Sequence, residues 1–234
     1  MKSNQAPGPH SGRRPGQPTI QTAQPSSGRQ SGRALLLAVV ALLAMLVGLV
    51  AARSMFETET EFQSASIYPQ PRALAPFELI DADGAAFTDQ NLQGRHSLIF
   101  FGFTNCPDIC PDTLGVLADA MQKLETMRVA NKPQVVFVSV DPERDGGQAM
   151  GEYVTWFHPD FRAVTGDDQA LAQLTSQLGA MYVRRAPDDT GFYSVDHSGM
   201  VVIVDPQGRM IGRFTQPLDS DAVAADLFDL GRGA

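Results

Sequence analysis

Apolar and polar positions divide the beginning of the chain into two contrasting stretches. Residues 1–33 are rich in Pro, Gly, Ser and Gln, whereas residues 34–52 carry no polar side chain. At about 1.5 Å per residue, an apolar helix of this length matches the roughly 30 Å hydrocarbon core of a bilayer. The pattern therefore predicts a disordered leader over 1–33 and an N-terminal transmembrane helix over 34–52. A cleavable signal peptide is the alternative, but its apolar region is normally shorter.

Beyond the apolar stretch, residues 53–72 predict a tether, and from residue 73 onward strand-like apolar runs alternate with helical periodicity. Continuous apolar runs such as 97–104 and 134–140 are typical of strands buried on both faces. The other predicted strands are 77–80, 161–164, 200–204 and 210–214, and the predicted helices are 111–129, 147–157, 167–178 and 218–230. This order predicts an α/β domain over 73–234, with a thioredoxin-like central sheet flanked by helices.

Charge separates the two ends of the chain. Six of its 18 Lys and Arg residues lie before Ser54, and no acidic residue does. The rest of the chain has the remaining 12 basic residues and all 26 acidic ones, so its net charge is −14. An acidic domain argues against nucleic acid as a partner, because phosphate binding needs clustered Lys and Arg. Five basic residues precede the apolar stretch, so the positive-inside rule predicts a cytoplasmic N-terminus. We expect a single-pass protein of a bacterial inner membrane with a periplasmic domain.

Both cysteines of the chain, Cys106 and Cys110, lie where the predicted strand 97–104 gives way to the next helix. Because proline is favoured at the first helical position, Pro111 predicts Cys110 as the N-cap residue. The positive end of the helix would then lower the pKa of Cys110 moderately. A stapling disulfide is disfavoured, since a bridge over so short a loop constrains the unfolded chain little. A redox pair and a metal site remain open.

A metal site needs further ligands, and the chain has four histidines. Two thiolates with one imidazole favour copper, above all Cu(I), whereas a closed zinc site would need a fourth protein ligand. His10 lies in the leader, His96 precedes the strand 97–104 at the end far from the cysteines, and His158 is expected at the surface. His197 precedes the predicted strand 200–204, in a loop that faces the cysteines in a thioredoxin-like fold. His197 is therefore the predicted imidazole ligand.

Three motifs in the same order, FTNCPDICPDTL, DPERD and DHSG, resemble the Sco/SenC family of membrane-anchored, thioredoxin-fold copper proteins. The resemblance covers roughly residues 73–230 together with the anchor. It implies that Cys106, Cys110 and His197 are copper ligands, and that the protein takes part in assembling the binuclear copper site of cytochrome c oxidase.

Three aspartates also lie in the last two of these motifs. Asp196 is a candidate either to orient the neighbouring histidine or to cap its loop. Asp141 and Asp145 match the family motif, but their chemistry predicts only a turn with an ion pair to Arg144.

Two functions of different classes follow. The first is a copper metallochaperone that binds Cu(I) or Cu(II) and delivers it to the copper-site subunit of the oxidase, with a periplasmic copper donor as a further partner. The family also includes thiol–disulfide reductants, so the second function is an oxidoreductase in which Cys106 and Cys110 form a redox pair. Such a protein would keep the cysteines of the oxidase subunit reduced, with a thiol reductant as its partner. His197 favours the first function, because dithiol exchange needs no imidazole ligand.

Overall fold

The computed structural model describes residues 30–55 and 61–232, and the chain divides into two compact units between Glu59 and Thr60. The first unit contains helix α1 (Gln30–Met55), in which Gly32–Ala52 is long and apolar enough to cross a membrane. This helix contains the whole of the predicted anchor. Its first residues, 30–33, were assigned to the disordered leader, and that prediction is wrong for them. The rest of the leader, including His10, lies outside the described residues.

The second unit is an α/β domain. Its strands are β1 (Ala65–Ala73), β2 (Glu78–Asp81), β3 (Ala86–Thr88), β4 (Ser97–Gly102), β5 (Gln134–Ser139), β6 (Arg162–Thr165), β7 (Tyr182–Arg184), β8 (Val195–His197), β9 (Val201–Val204) and β10 (Arg209–Phe214). Its helices are α2 (Ile109–Thr126), α3 (Gly147–Thr155), α4 (Asp168–Leu178) and α5 (Ser220–Arg232).

A central sheet follows the order β1-β10-β9-β4-β5-β6-β2-β3. β4 runs parallel to β5 and antiparallel to β9, and every residue of these three strands is buried. Alternate side chains enter two cores: Phe100 packs with α2, α3 and α5, whereas Phe101 packs with α4 on the opposite face. Burial on both faces explains the continuous apolar runs that predicted these strands. The predicted α/β layout of a central sheet flanked by helices is confirmed.

The strands that sequence patterns missed are β1, β3, β7 and β8, and β1 corrects the predicted tether. Residues 65–72 belong to β1, which pairs antiparallel with β10, so the prediction of a tether is wrong for them. The strands approach so closely that a Cβ on Gly212 would lie 2.5 Å from the carbonyl oxygen of Ser66. β1 lies at the edge of the sheet and contains two prolines, which hid it from pattern reading.

A single buried carboxylate fixes the entry to β1. Asp226 on α5 accepts hydrogen bonds from the backbone N–H groups of Gln63, Ser64 and Ala65, at 2.7, 2.8 and 2.7 Å. The Ser64 hydroxyl donates a further bond to it at 3.0 Å. Four donors satisfy this buried charge, so the terminal helix and the edge strand hold each other in place.

Candidate metal centre

The two cysteines follow the central strand β4. Asp108 is the N-cap residue of α2 and Ile109 the first helical residue, so Cys110 lies one position inside the helix. The prediction of Cys110 as the N-cap was therefore wrong by two residues. It rested on Pro111, but the first four N–H groups of a helix all lack a partner within the helix, and proline fits the third position as well.

Cys110 packs against the end of β4. It is fully buried, whereas Cys106 is partly exposed, and both are free thiols. A Cβ on Gly102 would lie 2.5 Å from the Cys110 sulfur and 2.7 Å from the ring of Phe137. A strand residue without a side chain is therefore needed for the sulfur to occupy this place.

His197 brings an imidazole to the same place from a different element. It is the last residue of β8 rather than a loop residue, which corrects the prediction. Its Nε2 lies 3.3 Å from the Cys110 sulfur and 3.9 Å from the Cys106 sulfur. The Phe100 and Phe103 rings each form a T-shaped contact with the imidazole, with ring centroids 5.9 Å apart. The structure thus brings the three predicted ligand residues together, with one donor atom from each within 4.8 Å of the others.

A contact of the second imidazole nitrogen, Nδ1, explains the orientation of the His197 ring. Nδ1 lies 3.3 Å from the backbone carbonyl oxygen of Ser198. A carbonyl oxygen only accepts, so the hydrogen belongs on Nδ1, and in the neutral ring the lone pair of Nε2 faces the two sulfurs. Asp196 takes no part in this, because its carboxylate pairs with Arg185. The hypothesis that Asp196 orients His197 was wrong. The Ser198 backbone carbonyl is the group that contacts Nδ1 and orients the ring.

The two thiols differ strongly in acidity. A hydrogen bond from Cys110 to the Cys106 sulfur lowers the pKa of Cys106 to about 4. The same hydrogen bond raises the pKa of Cys110 above its ordinary value, and burial raises it further. The predicted lowering of the Cys110 pKa is therefore wrong: Cys110 keeps its proton, and Cys106 carries the charge.

Asp145 supports the cysteine loop from the turn that follows β5. Its buried carboxylate accepts hydrogen bonds from the Thr104 backbone N–H at 2.7 Å and from the Ser139 hydroxyl at 2.6 Å. The Thr104 hydroxyl donates a further bond to it. Sequence reasoning assigned this residue only to a turn, because Thr104 lies 41 positions away along the chain. The predicted ion pair between Asp141 and Arg144 is present.

The other histidines within the described residues lie away from the two sulfurs. His96 is buried just before β4, at the end far from the cysteines, as predicted. His158 is only 8% exposed, so the prediction of a surface position is wrong. Its ring stacks on Phe161 at 5.1 Å, and its Nδ1 accepts a hydrogen bond from the Asp160 backbone N–H at 3.1 Å. These contacts explain why it is buried.

Comparison with known proteins decides the family. Residues 66–231 match the family model described as SCO1/SenC. The chain belongs to the SCO1/SenC family. Its relatives include the SCO2-like protein of Rickettsia prowazekii, which is 38% identical over 140 residues, or 59% of this chain and 67% of the relative.

Two solved structures of SCO1/SenC relatives share the fold. The crystal structure of Arabidopsis thaliana ScoI with copper bound is 34% identical, with a TM-score of 0.64 over 68% of this chain and 98% of that one. The crystal structure of yeast Sco1 with copper bound is 30% identical, with a TM-score of 0.65 over 70% and 91% of the two chains. The predicted thioredoxin-like fold is thereby confirmed.

Proposed function

We propose that this protein is a copper metallochaperone that binds copper through Cys106, Cys110 and His197. The observation that carries the proposal is the convergence of two sulfurs and one imidazole nitrogen, with Nε2 3.3 and 3.9 Å from the sulfurs. Two soft thiolates and an imidazole suit Cu(I) in a three-coordinate site and also accept Cu(II). The copper bound in the Arabidopsis and yeast structures supports the same cargo here.

The receiving partner in this proposal is the subunit of cytochrome c oxidase that carries the binuclear copper site. Cys106 is partly exposed, so the site can be reached by a partner's own ligands. Those ligands can then replace the three donors one at a time, without a free ion in between. A periplasmic copper donor would load the site in the same way.

The membrane arrangement is also part of the proposal. Helix α1 contains one segment, Gly32–Ala52, that is suited to crossing a bilayer. Basic residues precede this segment, and the acidic domain follows it. We infer a single-pass protein of the bacterial inner membrane, with its N-terminus in the cytoplasm and its domain in the periplasm.

The unequal acidity of the two thiols favours a second candidate function, thiol–disulfide exchange. The Cys106 thiolate would attack a disulfide of the oxidase subunit, form a mixed disulfide and release one thiolate of that subunit. Cys110 would then attack the Cys106 sulfur and release the second thiol, and its own proton would pass to the released sulfur. The protein would end as a disulfide and its target as one thiolate and one thiol.

Copper titration of the reduced full chain in detergent tests the site. We expect one copper per chain, together with a thiolate-to-Cu(II) charge-transfer band when Cu(II) is used. Cys106→Ser and Cys110→Ser should each abolish tight binding, because one thiolate and one imidazole leave Cu(I) under-coordinated. Full copper affinity in either serine variant would rule out the proposed site.

His197→Ala separates the two functions. It should weaken copper binding severely and leave both thiols able to reduce a disulfide, while His96→Gln, far from the cysteines, should change neither property. Cells carrying His197→Ala should lose oxidase activity under limiting copper if copper delivery is the task. Normal oxidase assembly in these cells, together with failure of Cys106→Ser, would establish the reductase function instead.

A further inference from the structure

The imidazole of the candidate site lies on the small β7–β8 sheet, whereas the two thiols follow a strand of the central sheet. The cysteines follow β4 of the central sheet, whereas His197 ends β8, which pairs only with β7 within the described residues. The backbone ties His197 to the central sheet only through the short link 198–200 to β9, which pairs with β4. The other end of β8 depends on side-chain contacts, which help to determine how well the three donors meet.

Three residues, Asp141, Arg144 and Tyr193, are joined by several such contacts. We call these three residues the clasp. The Tyr193 hydroxyl donates a hydrogen bond to the fully buried Asp141 carboxylate at 2.7 Å. Arg144 Nε donates to the same carboxylate, and its Nη1 donates to the Tyr193 backbone carbonyl at 2.8 Å. The guanidinium carbon also lies 3.6 Å from the centre of the Tyr193 ring. The loop before β8 is thereby held to the turn after β5 at both its side chain and its backbone.

The clasp reaches His197 by two routes. Tyr193 lies just before β8, so holding its backbone fixes the start of the strand that ends at His197. Arg144 also lies 5.6 Å from the ring centre of Phe103, and the Phe103 ring contacts the imidazole edge-on. The clasp therefore fixes both the strand that carries the imidazole and one wall beside it.

We propose that the clasp positions His197 for copper, with Tyr193 as the positioning residue that closes it. This inference rests on the proposed copper site and adds residues that contact none of the three donor atoms. The turn 141–145 then serves both halves of the site, because Asp145 holds the cysteine loop from the same turn. With the clasp open, the two thiols keep their places while the imidazole spends less time in reach of the ion.

Tyr193→Phe weakens the clasp with the smallest change, since only the hydrogen bond from the hydroxyl to Asp141 is removed. In the full chain, competition with a Cu(I) chelator should show a roughly tenfold loss of affinity, the size expected for one hydrogen bond to a buried charge. The Cu(II) spectrum should move toward that of His197→Ala. Arg144→Lys keeps a positive charge beside Asp141 but loses the guanidinium nitrogen that donates to the Tyr193 carbonyl. It should also lower the copper affinity.

A double-mutant cycle distinguishes positioning from general loosening of the fold. Tyr193→Phe should have no further effect on copper affinity once His197→Ala is present, because its effect passes through the imidazole. Tyr182→Phe is the matched control: it removes a hydroxyl from β7, the strand that pairs with β8, and the described residues offer that hydroxyl no hydrogen bond. It should bind copper as the unmodified chain does.

The outcomes that overturn the inference are distinct from those that overturn the copper site. If the unmodified chain binds no copper, the proposed function is wrong, and the inference about the clasp is wrong with it. If the unmodified chain binds copper and Tyr193→Phe binds it equally well, the clasp does not position His197. The inference is also overturned if Tyr193→Phe lowers copper affinity equally in the presence and absence of His197, since the substitution would then act on the fold.

Discussion

At the scale of single residues, the hydrogen bond between the two cysteines determines which sulfur carries charge. The pKa of Cys106 is lowered to about 4, so its thiolate should persist in reduced, copper-free protein until the pH falls near that value. Cys110→Ala removes the donor and should raise the pKa of Cys106 toward its ordinary value. Thiolate absorbance followed against pH measures this change. A Cys106 that titrates near its ordinary pKa in the unmodified chain would contradict the assignment.

Residue types that carry chemistry were predictable from the sequence, whereas the residues that support them were not. Cys106, Cys110 and His197 could be chosen as candidate copper ligands because few residue types bind copper and the chain has few of them. Asp145 and Tyr193 act through partners 41 and 52 positions away, and only the fold brings those partners together. The direction of the Cys110 pKa was missed for the same reason, because the hydrogen bond to Cys106 and burial raise it, and both depend on the fold.

At the scale of elements, the bond between α5 and the entry to β1 should contribute strongly to stability. Asp226→Ala leaves three backbone N–H groups without their acceptor, and the free energy of unfolding should fall by about 3 kcal/mol. Thermal unfolding followed by circular dichroism measures the loss.

Asp221→Ala is the control for that experiment. Asp221 lies on the same helix, but its side chain is exposed and, among the described residues, forms an ion pair with Lys123 alone, so its removal should change stability by less than about 1 kcal/mol. Equal melting curves for the two variants would show that the buried carboxylate does not stabilise the fold.

How well each element could be predicted depended on its burial. β4, β5 and β9 lie between two cores, so their composition alone predicted them. β1 lies at the edge with mostly exposed side chains, and β7 and β8 form a separate pair of three residues each. Such strands are held by contacts with distant residues, and their own sequences carry little of the pattern that burial imposes.

At the scale of the whole molecule, the charge asymmetry and helix α1 predict one orientation in the membrane. A reporter that is active only outside the cytoplasm should work when fused after Ala234 and fail when inserted in the leader after Gly12. The protein should also stay in the membrane fraction at its uncleaved mass. A mature N-terminus at Arg53 would show that the apolar stretch is a cleaved signal peptide and would contradict the anchor.

The division of the domain into two sheets would give a bound copper ion a mechanical role. An ion held by Cys106, Cys110 and His197 would cross-link the small β7–β8 sheet to the start of α2, beside the central sheet. Copper binding would then make this region more rigid. An ion that binds only when the three donor residues lie together stabilises that arrangement. Handing the ion over would release the cross-link in the same step. A loaded chain and an empty chain would thus differ in stiffness at the surface a partner meets, and a partner could distinguish them before it touches the metal.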